Sequence, residues 1–320
     1  MAQIVTVFGG SGFVGKQVVR ALARQGWRIR VAVRKPTIAY DLKPMGDVGQ
    51  IQVVRCDVTR ESDIERALEG ASACVNLVGI LYETMGQGFE AVQRQAATHM
   101  AKVCAARGIK DFVLMSALGA DPKAASHYAA TKGRAEEAVR KALPTAVVLR
   151  PSVIFGNGDG FFTSLANQIK MLPLMPAIGG AKTRFQPVYV GDVASAVAKT
   201  LGNPAAYGRV FELGGPEVFS FADLVKYVGN EIMCPRPMVW MPFAVAHLIG
   251  LAGNIQGLLS PLLPPPLLTS DQVTLLQSDN VVAGNAKGLK DLGIAPTAVE
   301  SIVPSYLWRF RKNGQFATAA

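Results

Sequence analysis

The stretch Ile4–Gly15, IVTVFGGSGFVG, constrains this chain more than any other. Ile4–Phe8 is apolar, rich in β-branched residues and too short for a helix, which predicts a buried strand. Beyond the glycines, Val14, Val18 and Leu22 recur at helical spacing and predict an amphipathic helix. Gly10-x-Gly12-x-x-Gly15 fits the dinucleotide fingerprint, and Gly9, Gly12 and Gly15 also form a wider three-residue spacing. Glycine permits positive φ in the turn, lets the backbone approach a pyrophosphate and lets the helix sit close to the strand. The helix N-terminus then presents free N–H groups and a partial positive charge to phosphates. The expected cradle is Gly9, Gly10, Ser11, Gly12, Phe13, Val14 and Gly15. The plainer reading is an ordinary tight turn between strand and helix. The position, at the start of a chain that alternates strands and helices, favours the nucleotide.

Trp27–Arg34 alternates apolar and basic residues, as a second strand does, and ends in Arg34-Lys35-Pro36. In a nucleotide-binding sheet this strand end faces the adenosine ribose. An acidic residue there binds the 2′-hydroxyl of NAD, and a basic one accommodates the 2′-phosphate of NADP. Arg34 and Lys35 therefore favour NADP(H) over NAD(H) through charge-assisted bonds; as plain surface charges they would leave NAD(H) open. Ile51–Cys56 predicts a third strand, followed by Asp57-Val58 and a short helix over Asp63–Leu68. Ala73–Val78 predicts a fourth strand. Asp57 is placed to meet the adenine amine, and the backbone of Asn76–Gly79, with Leu77, Val78 and Gly79, to pass beneath the cofactor. Turn residues would give the same pattern.

Phe89–Arg107 reads as a long helix stopped at Gly108, Asp111–Ser116 as a fifth strand, Ser126–Leu143 as a helix closed by Pro144, and Ala146–Arg150 as a sixth strand broken by Pro151. Strands and helices in this alternation predict a doubly wound parallel α/β sheet. Beyond residue 150 glycine and proline become frequent, which predicts a smaller C-terminal α/β lobe over residues 151–312, with further strands returning to the core. Gln186–Val190 reads as a strand, Asp192 as the N-cap of a helix over Val193–Leu201, Val210–Leu213 as a strand and Phe221–Ile232 as a helix. Residues 313–320 read as a frayed tail.

Half of the 320 residues are hydrophobic and 18% are charged, enough for a sizeable core. The formal charge of +10 is scattered, apart from Arg309, Arg311 and Lys312. It fits contact with phosphate-bearing ligands, acidic lipid or an acidic partner. No zinc finger, aromatic-rich RNA motif or basic helix argues for nucleic acid. Cys56, Cys74, Cys104 and Cys234 form no CxxC pair, which predicts reduced, mostly buried thiols. His99, His127 and His247 share no ligand spacing, so no metal is expected. A first strand at the fourth residue leaves no room for a signal or transit peptide. The expectation is a bacterial cytoplasmic chain or a processed mature form.

Pro237–Leu268 is strongly apolar, yet Pro242, Gly250, Gly253 and the Pro264–Pro266 run interrupt it. It is not a continuous spanning helix. It reads either as buried helices of the second lobe or as a docking surface for a membrane or hydrophobic partner.

Tyr128-x-x-x-Lys132 lies on the helix after the fifth strand, where residues i and i+4 share a face. An ammonium beside a phenol favours its ionised form, so the pair can pass a proton while hydride moves to or from a nicotinamide. With this pair the chain resembles the short-chain dehydrogenase/reductase superfamily, in its extended or atypical branch. The matching pieces are Gly9–Gly15, Asp57-Val58, Tyr128–Lys132, Arg150–Asp159 (RPSVIFGNGD) and Pro187–Ala194 (PVYVGDVA). The resemblance implies a Rossmann fold, a substrate-holding later lobe, Tyr128 as acid/base, Lys132 on the nicotinamide ribose and Pro151 beside the cofactor. That superfamily usually carries a serine one or two residues beyond the position of Ser116. Here Ala117 and Leu118 stand there, so Ser116 is the remaining candidate and the catalytic set is incomplete. More narrowly, Gly79-Ile80-Leu81, Gln186–Val190 and Thr269–Val273 with Asp279–Val282 resemble the NADPH-binding accessory subunit of respiratory complex I and its bacterial relatives. That group implies tightly held, structural NADPH at the membrane-arm junction.

Three functional readings follow. The first is a nucleotide-binding subunit of complex I type, cytoplasmic or peripheral on the inner face of the membrane. The second is an NADP-dependent reductase, epimerase or dehydratase. The third is a quinone-pathway protein holding an isoprenoid tail against Pro237–Leu268.

Overall fold

A computed structural model of the chain describes residues 3–259 and 266–316. The chain divides into two units. The first comprises Met1–Pro151, Gly191–Leu213 and Asn285–Ala295, and the second Ser152–Val190, Gly214–Gly284 and Pro296–Ala320.

The first unit alternates as the apolar runs demand: β1 (Ile4–Phe8), α1 (Phe13–Arg24), β2 (Arg28–Val33), β3 (Ile51–Arg55), α2 (Glu61–Ala67), β4 (Ala73–Asn76), α3 (Ala96–Ala106), β5 (Asp111–Met115), α4 (His127–Ala142) and β6 (Val147–Pro151). The second unit supplies β7 (Ile154–Phe155), α5 (Phe161–Met171), β8 (Met175–Ile178), β9 (Arg184–Phe185) and β10 (Val188–Tyr189). Next come α6 (Val190–Thr200) and β11 (Val210–Leu213), then β12 (Phe219–Ser220), α7 (Phe221–Glu231), β13 (Met238–Met241), α8 (Phe243–Leu258), α9 (Ser270–Leu275) and α10 (Pro304–Leu307).

Seven parallel strands form the sheet of the first unit, in the order β11-β6-β5-β4-β1-β2-β3. The chain is thus a Rossmann-type doubly wound α/β fold, and the strand order reverses between β1 and β4. The register aligns the strand ends: Phe8 pairs with Ala32 on one side and Asn76 on the other, and Asn76 pairs with Leu114. Gly9, Leu77 and Ser116 therefore emerge at about the same level, at the crevice where such sheets bind ligands. Beneath them Phe8, Cys74, Met100, Phe112 and Val148 pack into one core. In the second unit a separate core gathers Phe155, Phe162, Ile169, Leu224, Val228 and Leu307.

Several predicted boundaries move, for local reasons. The helix expected over Phe89–Arg107 opens as a π-helical segment, Glu90–Gln95, before α3. The fourth strand ends at Asn76 because its Oδ1 accepts from the Val78 amide and turns the chain. The Gln186–Val190 strand shrinks to β10, since Gln186 is committed to loops. Its amide donates to the Asn280 carbonyl, Nε2 to Gly215, and Oε1 accepts from Val282. Asp192 is not the N-cap expected of it: α6 starts at Val190, and Asp192 lies in its first turn, where a carboxylate complements the helix dipole.

The apolar Pro237–Leu268 region is described outside residues 260–265; Pro264 and Pro265 of its proline run lie outside the described residues, as do 317–320 of the expected tail. Its main element, α8, inverts the usual rule. The buried residues are the small ones, Ala246, Gly250, Gly253 and Gly257, at helical spacing. Val245, Leu248, Ile249, Leu251, Ile255 and Leu258 are exposed, Leu248 by 71%. The small face is dictated by close approach. A Cβ on Gly250 would stand 2.5 Å from the Ser270 amide nitrogen, and one on Gly253 1.9 Å from the Leu268 carbonyl oxygen. Asn254 completes the joint by bonding both the hydroxyl and the amide of Ser270. The expectation of buried helices therefore fails for the outer face of α8. Gly253→Ala is expected to cost roughly 1–3 kcal/mol, because the backbone it meets cannot swing aside. Ala252→Ser on the exposed side is the control, and urea unfolding compares the two.

Candidate nucleotide-binding site

The site is built at the reversal of strand order. Gly9 leaves β1 with φ of 78°, a left-handed conformation that favours glycine. Its amide still donates to Ala32 of β2, and its carbonyl accepts from Gly12. Gly15 lies against this carbonyl: a Cβ there would be 2.4 Å from the Gly9 oxygen and 2.6 Å from Gly10 backbone. A Cβ on Gly10 would meet Val31 at 2.8 Å. The glycines thus let the start of α1 sit directly on the turn. Gly12 is the N-cap and lends no side chain, no acidic residue stands in the first turn, and the first helical bond runs from Lys16 to Gly12. The amides of Phe13, Val14 and Gly15 precede that bond and are the orphan donors of a helix N-terminus. Ser11 lies in the turn beside them. This arrangement fits a pyrophosphate: donors converge, the dipole is favourable, and no Cβ blocks the approach.

Arg34 and Lys35 follow β2 immediately, and both are exposed. Val33 pairs with Arg55, which sets Arg34 at the level of Cys56, next to Asp57. Burial by itself would raise the Asp57 carboxyl. The Thr59 hydroxyl and amide, with Arg60 and Arg34, outweigh it and hold Asp57 below the ordinary carboxylate value. Both Thr59 bonds go to Oδ1, at 2.7 and 3.0 Å. Val58 packs against the core. Across the turn, Leu77 donates its amide to Phe8, and a Cβ on Gly9 would meet Leu77 and Val78 backbone at 3.3 Å. Gly79 closes the far side, where its own Cβ would stand 3.4 Å from Lys132 Nζ. Pro151 ends β6 and is buried, its carbonyl accepting from Leu118.

Tyr128 and Lys132 share one face of α4, whose first turn is capped by Ser126. Lys132 is 6% exposed, and its Nζ donates to the Met115 carbonyl at 3.1 Å and lies 5.9 Å from the Tyr128 ring centroid. Phe89 meets the Tyr128 ring edge-on at 5.8 Å. Burial brings the Lys132 ammonium down to about 8, against the pull of Glu136. Ser116, the remaining candidate serine, follows β5 directly. It is buried, and its hydroxyl donates to the Glu136 carboxylate, not to Tyr128. Glu136 and Arg150, which holds it through Nε and Nη2, were missed by sequence reasoning. The signal was present, because Glu136 continues the Tyr128–Lys132 spacing by one more turn.

Cys56 is pushed up to about 12 by burial, then by Asp63 and Asp57, and the four cysteines are free. Among the described residues no cluster of three or more His, Cys, Asp or Glu residues is arranged to hold a metal, and no helix is long and apolar enough to cross a membrane.

A family profile described as NAD(P)H-binding matches residues 9–172. The Arabidopsis thaliana mitochondrial NADH dehydrogenase [ubiquinone] 1 alpha subcomplex subunit 9 is 33% identical over 316 residues, spanning 97% of this chain and 79% of its own. The Neurospora crassa mitochondrial NADH-ubiquinone oxidoreductase 40 kDa subunit is 30% identical, spanning 97% and 80%. Among solved structures, a Thermotoga maritima UDP-glucose 4-epimerase with UDP-glucose superposes with a TM-score of 0.69 at 16% identity, over 97% and 99% of the two chains, and shares the fold. The glycine turn, the seven-stranded sheet and these relatives together make the chain a member of the NAD(P)H-binding family that includes the subunit 9 proteins of mitochondrial NADH dehydrogenase.

Proposed function

We propose that this protein is a peripheral, nucleotide-holding subunit of a respiratory NADH:ubiquinone oxidoreductase and that its nucleotide is NADPH kept for structure. The observation that carries this reading is the pairing of a complete phosphate cradle with an incomplete catalytic set. Gly9–Gly15 offers the diphosphate its donors. Arg34 and Lys35 supply the charge for a 2′-phosphate, with Asp57 and Val58 at the adenine end. Leu77, Val78, Gly79 and Pro151 line the crevice, and Tyr128 and Lys132 stand at the nicotinamide ribose. A bound nicotinamide supplies hydride chemistry. On the protein side, a proton donor needs its hydroxyl partner within reach, and Glu136 engages the one serine available. The relatives' names, which place them in NADH dehydrogenase, support the assignment to that complex.

The outer face of α8 supports the docking part of this reading. Trp240 of β13 is 68% exposed, and Leu248, Leu251 and Ile255 continue the apolar surface. Exposed apolar patches of this kind mark protein or membrane contacts.

Arg34→Ala is expected to weaken NADPH binding by about ten-fold and to leave NADH binding unchanged, the loss shrinking as salt rises. Equal affinity for the two nucleotides in the native protein, untouched by this substitution, would sink the 2′-phosphate assignment. Tyr128→Phe is expected to retain bound NADPH through purification and to change no turnover. If it abolishes a measurable NADPH oxidation with a carbonyl substrate, the chain is a reductase instead. After mild detergent extraction the native protein is expected to co-purify with a respiratory complex, and Leu248→Glu with Leu251→Glu to release it as a folded free chain. A native chain that sediments alone would remove the docking assignment.

A further inference from the structure

The inner face of α4 carries a buried carboxylate that nucleotide binding leaves unused. Glu136 follows Lys132 by one helical turn and is 4% exposed. Two strands meet its carboxylate. From the end of β5, the Ser116 hydroxyl donates to Oε1. From β6, Arg150 donates through Nε to Oε1 at 3.0 Å and through Nη2 to Oε2 at 2.7 Å. Arg150 also faces Glu212 of β11 at 3.6 Å. Lys132 meanwhile donates to the Met115 carbonyl, and Met115 is the neighbour of Ser116. The end of β5 is therefore tied to α4 twice, residue 115 to 132 and residue 116 to 136. Two adjacent residues on the strand and two residues one turn apart on the helix close a ring that fixes the height and rotation of α4 beside the crevice.

We propose that Glu136 is the positioning residue of the nucleotide site, holding the Lys132 ammonium charged and in place beside Gly79. This rests on the reading that Lys132 binds the nucleotide. The charge balance supports it. Buried Lys132 and half-buried Arg150 are two cations, and buried Glu136 and half-buried Glu212 are two carboxylates, so the cluster is neutral as it stands. With Glu136 neutral, two cations face one carboxylate, and the proton that leaves is the one on Lys132. Burial has already brought that ammonium down to about 8, and Glu136 opposes the fall. Lys132 also faces the Tyr128 ring on its own helix, the Met115 carbonyl and the Gly79 backbone.

The direction follows from linkage. Nucleotide affinity that uses a charged Lys132 is full below its pKa and falls as pH rises through about 8. Glu136→Gln lowers that pKa, so the falling limb moves to lower pH. The experiment is NADPH titration of the full-length protein across pH, for the native chain, Glu136→Gln and Lys132→Met, each with a thermal melt. Glu136→Gln is expected to match the native affinity at about pH 6 and to be roughly five-fold weaker at the native midpoint, a displacement of about one unit. A lower melting temperature with the falling limb unmoved would show Glu136 to be structural only and would overturn the proposal. Should Glu136→Gln not fold, Glu136→Asp, which keeps the charge but draws it back from Arg150, is titrated in its place. A falling limb displaced to lower pH supports the proposal, and an unmoved limb overturns it. If Lys132→Met leaves NADPH affinity intact at every pH, the parent reading fails as well. If it weakens binding while Glu136→Gln moves no limb, only the positioning role fails.

Discussion

A methyl group on Gly15 would stand 2.4 Å from the carbonyl oxygen of Gly9. That single short approach sets the geometry of the rest. It brings the first turn of α1 onto the end of β1, so orphan amides converge just where the strand order reverses. The parallel register then brings Arg34, Leu77 and Ser116 to the same edge, because Phe8 pairs with Ala32 and Asn76, and Asn76 with Leu114. A side chain at Gly15 would push the helix off the turn and leave its amides without a common focus. The binding site is thus a consequence of packing before it is a matter of chemistry.

The same logic explains how far the sequence could be read. The strand-turn-helix of Ile4–Arg24 was legible because each part obeys its own local rule: a β-branched run, glycines where backbones touch, and helical spacing of valine and leucine. The sheet followed from repetition of that unit. Failures came where a long-range partner decided. Gln186 looks like the first residue of a strand, but its amide, Nε2 and Oε1 are engaged with residues 280, 215 and 282. Asp192 looks like a cap, yet the helix begins before it. The role of Ser116 depends on Glu136, twenty residues away, and no local pattern connects them. In α8 nearly every face is apolar, so periodicity carries no direction; side-chain volume decides, with glycine and alanine inside.

Tyr128 and Lys132 by themselves describe an oxidoreductase, and the fold shared with a UDP-glucose epimerase is compatible with one. What separates holding a nucleotide from using it is the fate of one hydroxyl. Ser116 sits at the strand end where a proton relay would begin, but a buried carboxylate, itself gripped by Arg150, accepts its hydrogen. A buried carboxylate left without these donors would be costly, so the fold has a strong reason to retain the bond. The stability of the carboxylate and the direction of that hydroxyl are coupled through the same three side chains.

The two faces of α8 answer to different equilibria. Glycines turned inward touch the backbone of residues 268–270, so enlarging one of them is felt by the chain during its own folding. Leucines and isoleucines turned outward contribute little to that process and matter only when something covers them. Substitutions at Gly253 and Leu251, two residues apart, therefore report separate free energies: one read in an unfolding curve, the other in an association constant. Along a family tree the inward positions would be held by the polypeptide itself and the outward ones by its neighbour, so drift on the outer face would track changes in the neighbouring surface.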